Sequence, residues 1–276
     1  DPTIVERLVG GKWIAKPIEG ALFQNFYMPR RHSIGDYKNG IGLRPIAGFP
    51  IIIAYDIGPA FTSVTFIQAA LSKEGNVIWT IFDEVDKLGE KVLYRAVAKE
   101  VIDYQKHWKE ICGYEFSYMH IADDSAIKQW RGGGDKGSYD ASEFEKEYNI
   151  EAKKQGRPEV KILGCPKGSG SREARVQVIR GMLHTSTLFI SAMCENTTNM
   201  FLQLPEDPHN PGTPLKRSKW SHKFDSLSYG IFYFKTKGAN PFSYGKVGVS
   251  VSRVGLFFAS KRIAVAYGAE HARPNG

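Results

Sequence analysis

This 276-residue chain is poor in cysteine, with three in all, and has no apolar run of the twenty or so residues that a membrane-spanning helix requires. Cys112, Cys165 and Cys194 are far apart and odd in number, which argues against a disulfide framework and against a cysteine-based metal site. A reducing, cytosolic setting is the default for such a chain. No secretory leader pattern is visible, and no internal repeat or low-complexity tract. There is no Gly-x-x-x-x-Gly-Lys-[Ser/Thr] phosphate loop; the glycine-rich Gly164 to Arg172 stretch does not meet it. The chain also begins at Asp1 rather than Met, and is read as a piece or a processed product.

Positive charge, by contrast, is plentiful. The formal net charge is +8, which favours a polyanionic partner, most simply nucleic acid, and speaks to association rather than fold. The apolar fraction of 42% is ordinary and permits a sizeable core.

The stretch from Pro50 to Gly58 organises the rest. Its unbroken apolar run reads as a strand buried on both faces, and it ends in one carboxylate, Asp56, before a glycine. Asp before Gly is also a common way to start a turn. Phe61 to Leu71 and Val77 to Glu84 read as two further strands joined by a Gly-Asn turn. A helix is expected from about Gly89 to Cys112, with Val92, Ala96, Val101, Tyr104 and Trp108 on one face and Gly113 as its stop. Phe116 to Ala122 is the fourth strand, running into Asp123-Asp124-Ser125-Ala126.

Residues 131 to 140 read as a polar, glycine-rich loop. Helices are expected at 141–155, after Arg172, and at 194–204, with strands at 159–164 and 187–191. The last helix opens at Trp220-Ser221-His222-Lys223-Phe224-Asp225 and runs to about Phe234. Residues 1–48 are an approach segment anchored by aromatics such as Phe23 and Tyr27. Residues 49–236 form the main domain. Residues 237–276 are a basic, glycine-rich tail with two β-like runs.

Three antiparallel strands followed by alternating strands and helices fit an α/β fold with a ribonuclease H-like mixed sheet. In that topology the first and fourth strands lie side by side and parallel. Asp56 then meets Asp123 and Asp124 at one mouth of the sheet, and the last helix brings in Asp225. Three gathered carboxylates need a compensating cation, and hard oxygen ligands suit Mg²⁺ or Mn²⁺. Two such ions about 3.5–4 Å apart support in-line displacement at phosphorus. Each acid also has an ordinary reading as a turn or helix-capping residue.

In order and spacing these pieces resemble the nuclease domain of the large terminase subunit of tailed bacteriophages. The resemblance rests on Ile53 to Gly58 with Thr62, Ile121 to Ala126, Lys167 to Arg172 with Val178-Ile179-Arg180, Leu188-Phe189-Ile190 with Cys194, and His222 to Tyr229. Ser226 stands where the family usually has Ala. The resemblance implies a ribonuclease H-like fold and a metal-dependent endonuclease that cuts concatemeric double-stranded viral DNA during packaging, in the host bacterial cytoplasm. It implies Asp56, Asp124 and Asp225 as ligands of two Mg²⁺ or Mn²⁺ ions, with Asp123 as an alternative ligand or an acid just behind them. His222 is expected to support the ligands. The implied partners are a packaging ATPase domain, absent from this chain, the small terminase subunit and the portal, with no membrane.

Lys167, Arg172, Lys216, Arg217, Lys219 and Lys223 are the expected DNA contacts, giving affinity to phosphates without sequence readout. Three other readings use the same residues. Asp56-Ile57-Gly58 with Thr62 also fits the phosphate hairpin of an actin-like kinase, but a second such hairpin is missing. A non-catalytic DNA- or portal-docking module suits the basic tail. A junction resolvase or hybrid nuclease shares the expected sheet.

Overall fold

In the computed structural model the described residues are 18–58, 60–72, 74–88, 92–127, 140–216 and 218–242. Strand β2 (Ile51–Gly58) is buried along its length except at Asp56. Ile52 and Ala54 face one apolar layer; Ile51, Ile53, Tyr55 and Ile57 face the other. Cover on both faces explains why the sequence is a continuous apolar run rather than an alternation. Strand β3 (Phe61–Leu71) pairs antiparallel with β2, and β4 (Val77–Leu88) pairs antiparallel with β3.

Parallel strands extend this meander on both sides. β5 (Tyr118–Asp123) lies beside β2, and β6 (Ile162–Cys165) beside β5. β7 (Leu188–Ser191) lies beside β4, and the two-residue β1 (Ser33–Ile34) beside β7. The order across the sheet is β1-β7-β4-β3-β2-β5-β6. This is the expected ribonuclease H-like arrangement.

A short helix, α1 (Pro29–His32), precedes β1. Helices α2 (Tyr94–Cys112) and α3 (Asp140–Lys154) cover one face of the sheet, through Val97, Val101, Phe144 and Tyr148. Helices α4 (Ser171–His184), α5 (Glu195–Gln203) and α6 (Lys219–Lys237) cover the other. Ser218 caps α6 by accepting from Trp220 N–H, and the helix ends at left-handed Gly238. Where α6 crosses the sheet, Gly230 meets Ala54 and Ile67 so closely that an added β-carbon would come within 2.8 Å of both. Only a bare glycine allows that approach.

Several boundaries differ from the sequence reading. β4 runs on to Leu88, past Glu84, because Glu84 and Asp86 face a buried lysine rather than water. Helix α2 begins at Tyr94. Within residues 18–48 the chain joins the sheet through β1, and Phe23 packs against Phe201 and Phe224 with ring centroids 5.2 and 5.8 Å apart. Of the loop expected at 131–140, residues 131–139 lie outside the described residues and Asp140 opens α3; the two β-like runs expected at 246–252 and 254–259 also lie outside them. Among the described residues no helix is long and apolar enough to cross a membrane.

Candidate active site

Strand alternation puts Asp56 on the face of Ile52 and Ala54, and Asp123 on the face of Met119 and Ile121. In the parallel register Ala54 pairs with Ile121. Two residues further on, Asp56 and Asp123 stand level on neighbouring strands, under the face that α6 covers. α6 carries Asp225 over this mouth. On the other side of β2 the row continues, since Asp56 pairs with Ser63, and Ser63 with Asp86.

Asp56, Asp123 and Asp225 each have a nitrogen partner. Asp56 Oδ2 lies 2.9 Å from His222 Nδ1, and the imidazole is stacked on Phe61 at 3.4 Å between centroids. Burial pushes the Asp56 carboxyl up to about 6; the His222 hydrogen bond opposes this, and the nearby charge of Asp225 adds to it. Asp225 is 9% exposed. Arg175 Nη1 donates to its Oδ1 at 2.7 Å, and Arg172 Nη2 reaches Oδ2 at 3.4 Å. Arg175 also donates to Ser228 Oγ and lies over the Tyr229 ring. Burial works against the Arg175 charge, but Asp225 beside it holds the guanidinium above its usual pKa.

Asp123 accepts from Ser125 N–H and Oγ–H, both at 2.9 Å, and pairs with Lys167. Asp124 is different. It opens the 3₁₀ turn Asp124–Ala126 beyond the strand end, with its β-carbon against Gly164 of β6. The small residue at 164 is what makes room for it.

Among the DNA contacts expected from the sequence, Lys167 and Arg172 stand at the carboxylates. Lys216 and Lys219 are exposed at the approach to α6. Arg217 lies outside the described residues. Lys223 must be corrected. It is fully buried, with Nζ 3.1 Å from Glu84, 3.0 Å from Asp86 and 3.1 Å from the Val64 carbonyl. A lysine closed off beneath the helix cannot meet a phosphate. It neutralises the two acids of β4 instead, and they hold its ammonium protonated against the pull of burial.

Sequence reasoning missed Arg175, Glu84, Asp86 and Ser63. The signals were there: Arg175 falls three residues after Arg172, on the same helix face, and Glu84 and Asp86 share a strand face. Glu84 also accepts from Asn196 and Thr197 N–H at the start of α5.

All the acids here are hard oxygen donors, and the raised carboxyl of Asp56 is relieved by added positive charge, so the donor chemistry fits Mg²⁺ or Mn²⁺. Among the described residues no three His, Cys, Asp or Glu side chains converge as a ready-made ion cage. Lys167 pairs with Asp123, Arg172 and Arg175 with Asp225, and His222 hydrogen-bonds Asp56.

A ribonuclease H-like sheet with acids at the mouth of the adjacent parallel strands β2 and β5 defines the class. No protein-family model and no curated protein matches the chain. Among solved structures the fold is shared with the nuclease domains of phage large terminases. The large terminase from the thermophilic bacteriophage D6E superposes at a TM-score of 0.52 and 12% identity, over 80% of this chain and 46% of that one. The P22 large terminase nuclease domain superposes at 0.51 and 14% identity, over 79% of this chain and 93% of that one. This chain thus spans less than half the length of the D6E protein and nearly all of the P22 domain.

Proposed function

We propose that this chain is the nuclease part of a phage large terminase, a metal-dependent endonuclease that cuts concatemeric double-stranded DNA during genome packaging. The observation that carries the reading is the meeting of three elements. Asp56 and Asp123 end adjacent parallel strands at one level, and α6 lays Asp225 across them. The fold shared with the D6E and P22 proteins supports it. Residues 49–236 form the nuclease body, with residues 18–48 packed onto it.

Asp56, Asp225 and one acid of the 123–124 pair would hold two Mg²⁺ or Mn²⁺ ions. Strand alternation favours Asp123 over Asp124, which sits beyond the strand. Such ions, when bound, would supply a water activated at neutral pH and charge stabilisation for in-line displacement at a phosphodiester. The chain's own groups set up that chemistry. His222, held flat by Phe61, orients the Asp56 carboxylate. Arg175 fixes the Asp225 rotamer from within the core. Lys167, which pairs with Asp123, would transfer to a DNA phosphate. Arg172, Lys216 and Lys219 extend that basic approach. These contacts reach phosphates rather than base edges, so weak sequence preference and strong salt dependence follow. In the whole system the partners are a packaging ATPase domain, the small terminase subunit and the portal, in the host bacterial cytoplasm.

The test is digestion of plasmid DNA with Mg²⁺ or Mn²⁺, with and without chelator, by wild type and Asp56→Asn. Metal-dependent cutting lost in the variant is the expected result. Equal cutting by both proteins would overturn the site. Competition among duplex, hybrid and four-way-junction substrates separates a terminase nuclease from other enzymes of this fold.

A further inference from the structure

Helix α6 rests on the sheet through two kinds of contact. Around Gly230 it packs on apolar side chains, which hold it down without fixing where it stands along its axis, because burial has no direction. The polar contacts do have direction. They gather at Lys223 and Ser226, three residues apart and so on one face of the helix, with Asp225 between them in the chain.

Lys223 Nζ lies 3.1 Å from Glu84 and 3.0 Å from Asp86, both on β4, and donates to the Val64 carbonyl on β3 at 3.1 Å. Ser226 Oγ lies 3.0 Å from Ser63 Oγ and 2.9 Å from Thr65 Oγ1, both on β3. Ser63 joins the two anchors into one network by donating to Asp86 Oδ1 at 2.5 Å. Lys223, Ser226, Ser63 and Thr65 are all fully buried.

The sheet is shaped to receive this network. Phe66 of β3 pairs with Asp83 of β4, but Ile67 pairs with Ile81, so Phe82 is an extra residue in a β-bulge. Before the bulge Trp79 and Ile81 face α6; after it Glu84 and Asp86 do. Strict alternation from Ile81 would have turned both acids to the opposite face. Asp86 pairs across the strands with Ser63, and Ser63 with Asp56. The network thus ties α6 to the row of the sheet that carries Asp56.

A buried ion cluster is a poor source of net stability, because desolvation offsets the attraction. What a fully bonded one supplies is a single defined arrangement. Each helical residue advances about 1.5 Å along the axis, and a misplacement of about 1 Å is enough to spoil a reacting geometry.

We propose that the Lys223–Asp86–Ser63–Ser226 network is a positioning device, which fixes α6 along the sheet and thereby sets where Asp225 stands relative to Asp56. The inference rests on the proposed metal-dependent nuclease and names residues that act on its metal site through α6.

Calorimetric titration of the full chain with Mn²⁺ tests it, in wild type, Asp56→Asn, Ser226→Ala and the double variant Lys223→Met, Asp86→Asn. The double variant removes one positive and one negative charge together, so the net charge beneath α6 is unchanged. The amide at position 86 keeps an oxygen for Ser63, and Glu84 keeps its donors from Asn196 and Thr197. Its urea midpoint should therefore exceed that of Lys223→Met alone. Its Mn²⁺ affinity should still fall about tenfold, the size of loss that follows when a metal ligand's support is removed. Ser226→Ala keeps every charge and should lose about threefold. The affinity of a chain that is already folded does not depend on its margin of stability, so a network that only stabilised the fold would leave both isotherms as in wild type. In plasmid digestion the Mn²⁺ concentration giving half the maximal rate should rise by the same factors. Wild-type affinity in Ser226→Ala, or in the folded double variant, would overturn the proposal. Mn²⁺ binding that is absent from wild type, or equally tight in Asp56→Asn, would instead overturn the proposed nuclease site, and this inference with it.

Discussion

Arg175 Nη1 and Asp225 Oδ1 lie 2.7 Å apart, with the guanidinium 2% exposed and stacked against Tyr229. A buried pair of this kind is weak evidence of net stabilisation, but breaking it from one side is severe. Arg175→Met takes from Asp225 its closest partner, leaving Arg172 at 3.4 Å, and leaves Ser228 without its donor. We expect a loss of about 3–5 kcal/mol in urea unfolding. Adding Asp225→Asn should return part of it, because the stranded charge is gone. A double variant no more stable than Arg175→Met alone would show that the two side chains do not act as a pair.

Asp56 sets a pH dependence whose direction follows from burial. Its carboxyl titrates at about 6 when folded, against 3.8 as the ordinary value. Between those values the folded state holds the extra proton. Stability should therefore fall as pH rises through this window and stay lower above it. Asp56→Asn should remove that fall and raise the thermal midpoint at neutral pH without metal. Added Mn²⁺ should raise the wild-type midpoint and leave the variant unmoved. A variant that Mn²⁺ stabilises as much as wild type would remove Asp56 from the ligand set.

Asp83 gives a second window on the opposite face of the sheet. Burial pushes its carboxyl up to about 7, opposed by hydrogen bonds from Glu84 N–H and Trp108 Nε1. The sign is the same: stability declines as pH rises from 3.8, the ordinary value, to about 7. Asp83→Asn keeps an oxygen for Trp108 and removes the charge. Its thermal midpoint should match wild type at low pH and exceed it above neutrality. Parallel midpoints across the range would show that Asp83 is not held protonated by its surroundings.

The sequence disclosed the sheet because β2 and β3 are covered on both faces, and burial leaves a plain signature in residue type. It disclosed that Asp56 and the 123–124 pair share one mouth of the sheet, because β2 and β5 are parallel neighbours. It did not disclose which acid of the 123–124 pair faces α6. That depends on one residue of register, which strand pairing sets and composition does not. Lys223 was misread for a related reason. A lysine beside an active-site helix looks like a phosphate contact until Glu84 and Asp86, far off in sequence, are seen to enclose it. Burial of a charge is decided by partners, and partners are a tertiary property.

Salt dependence separates the two kinds of lysine. Lys219→Ala, on the exposed start of α6, should weaken DNA binding uniformly across sequences and lower the slope of log affinity against log salt by about one. Lys223→Met should leave that slope unchanged where the protein remains folded, and should instead lower the urea midpoint. A slope change at Lys223 equal to that at Lys219 would mean that the buried ammonium reaches the nucleic acid.

Gly230 links packing to the site. A β-carbon there would lie 2.7 Å from Ile67 Cδ1 and 2.8 Å from Ala54 Cβ. Ile67 can turn its terminal methyl aside, but the Ala54 β-carbon is fixed to the central strand and cannot. In Gly230→Ala the helix must lift, at about 1–3 kcal/mol for overpacking. Asp225 lies five residues earlier on the same helix, so the lift carries it away from the ends of β2 and β5. Metal-dependent cleavage should then fall further than the loss of folded protein accounts for. Ala54→Gly in the same chain removes the opposing carbon and should restore both the helix position and cleavage. If Gly230→Ala cleaves and unfolds like wild type, α6 is not held against the sheet by this contact.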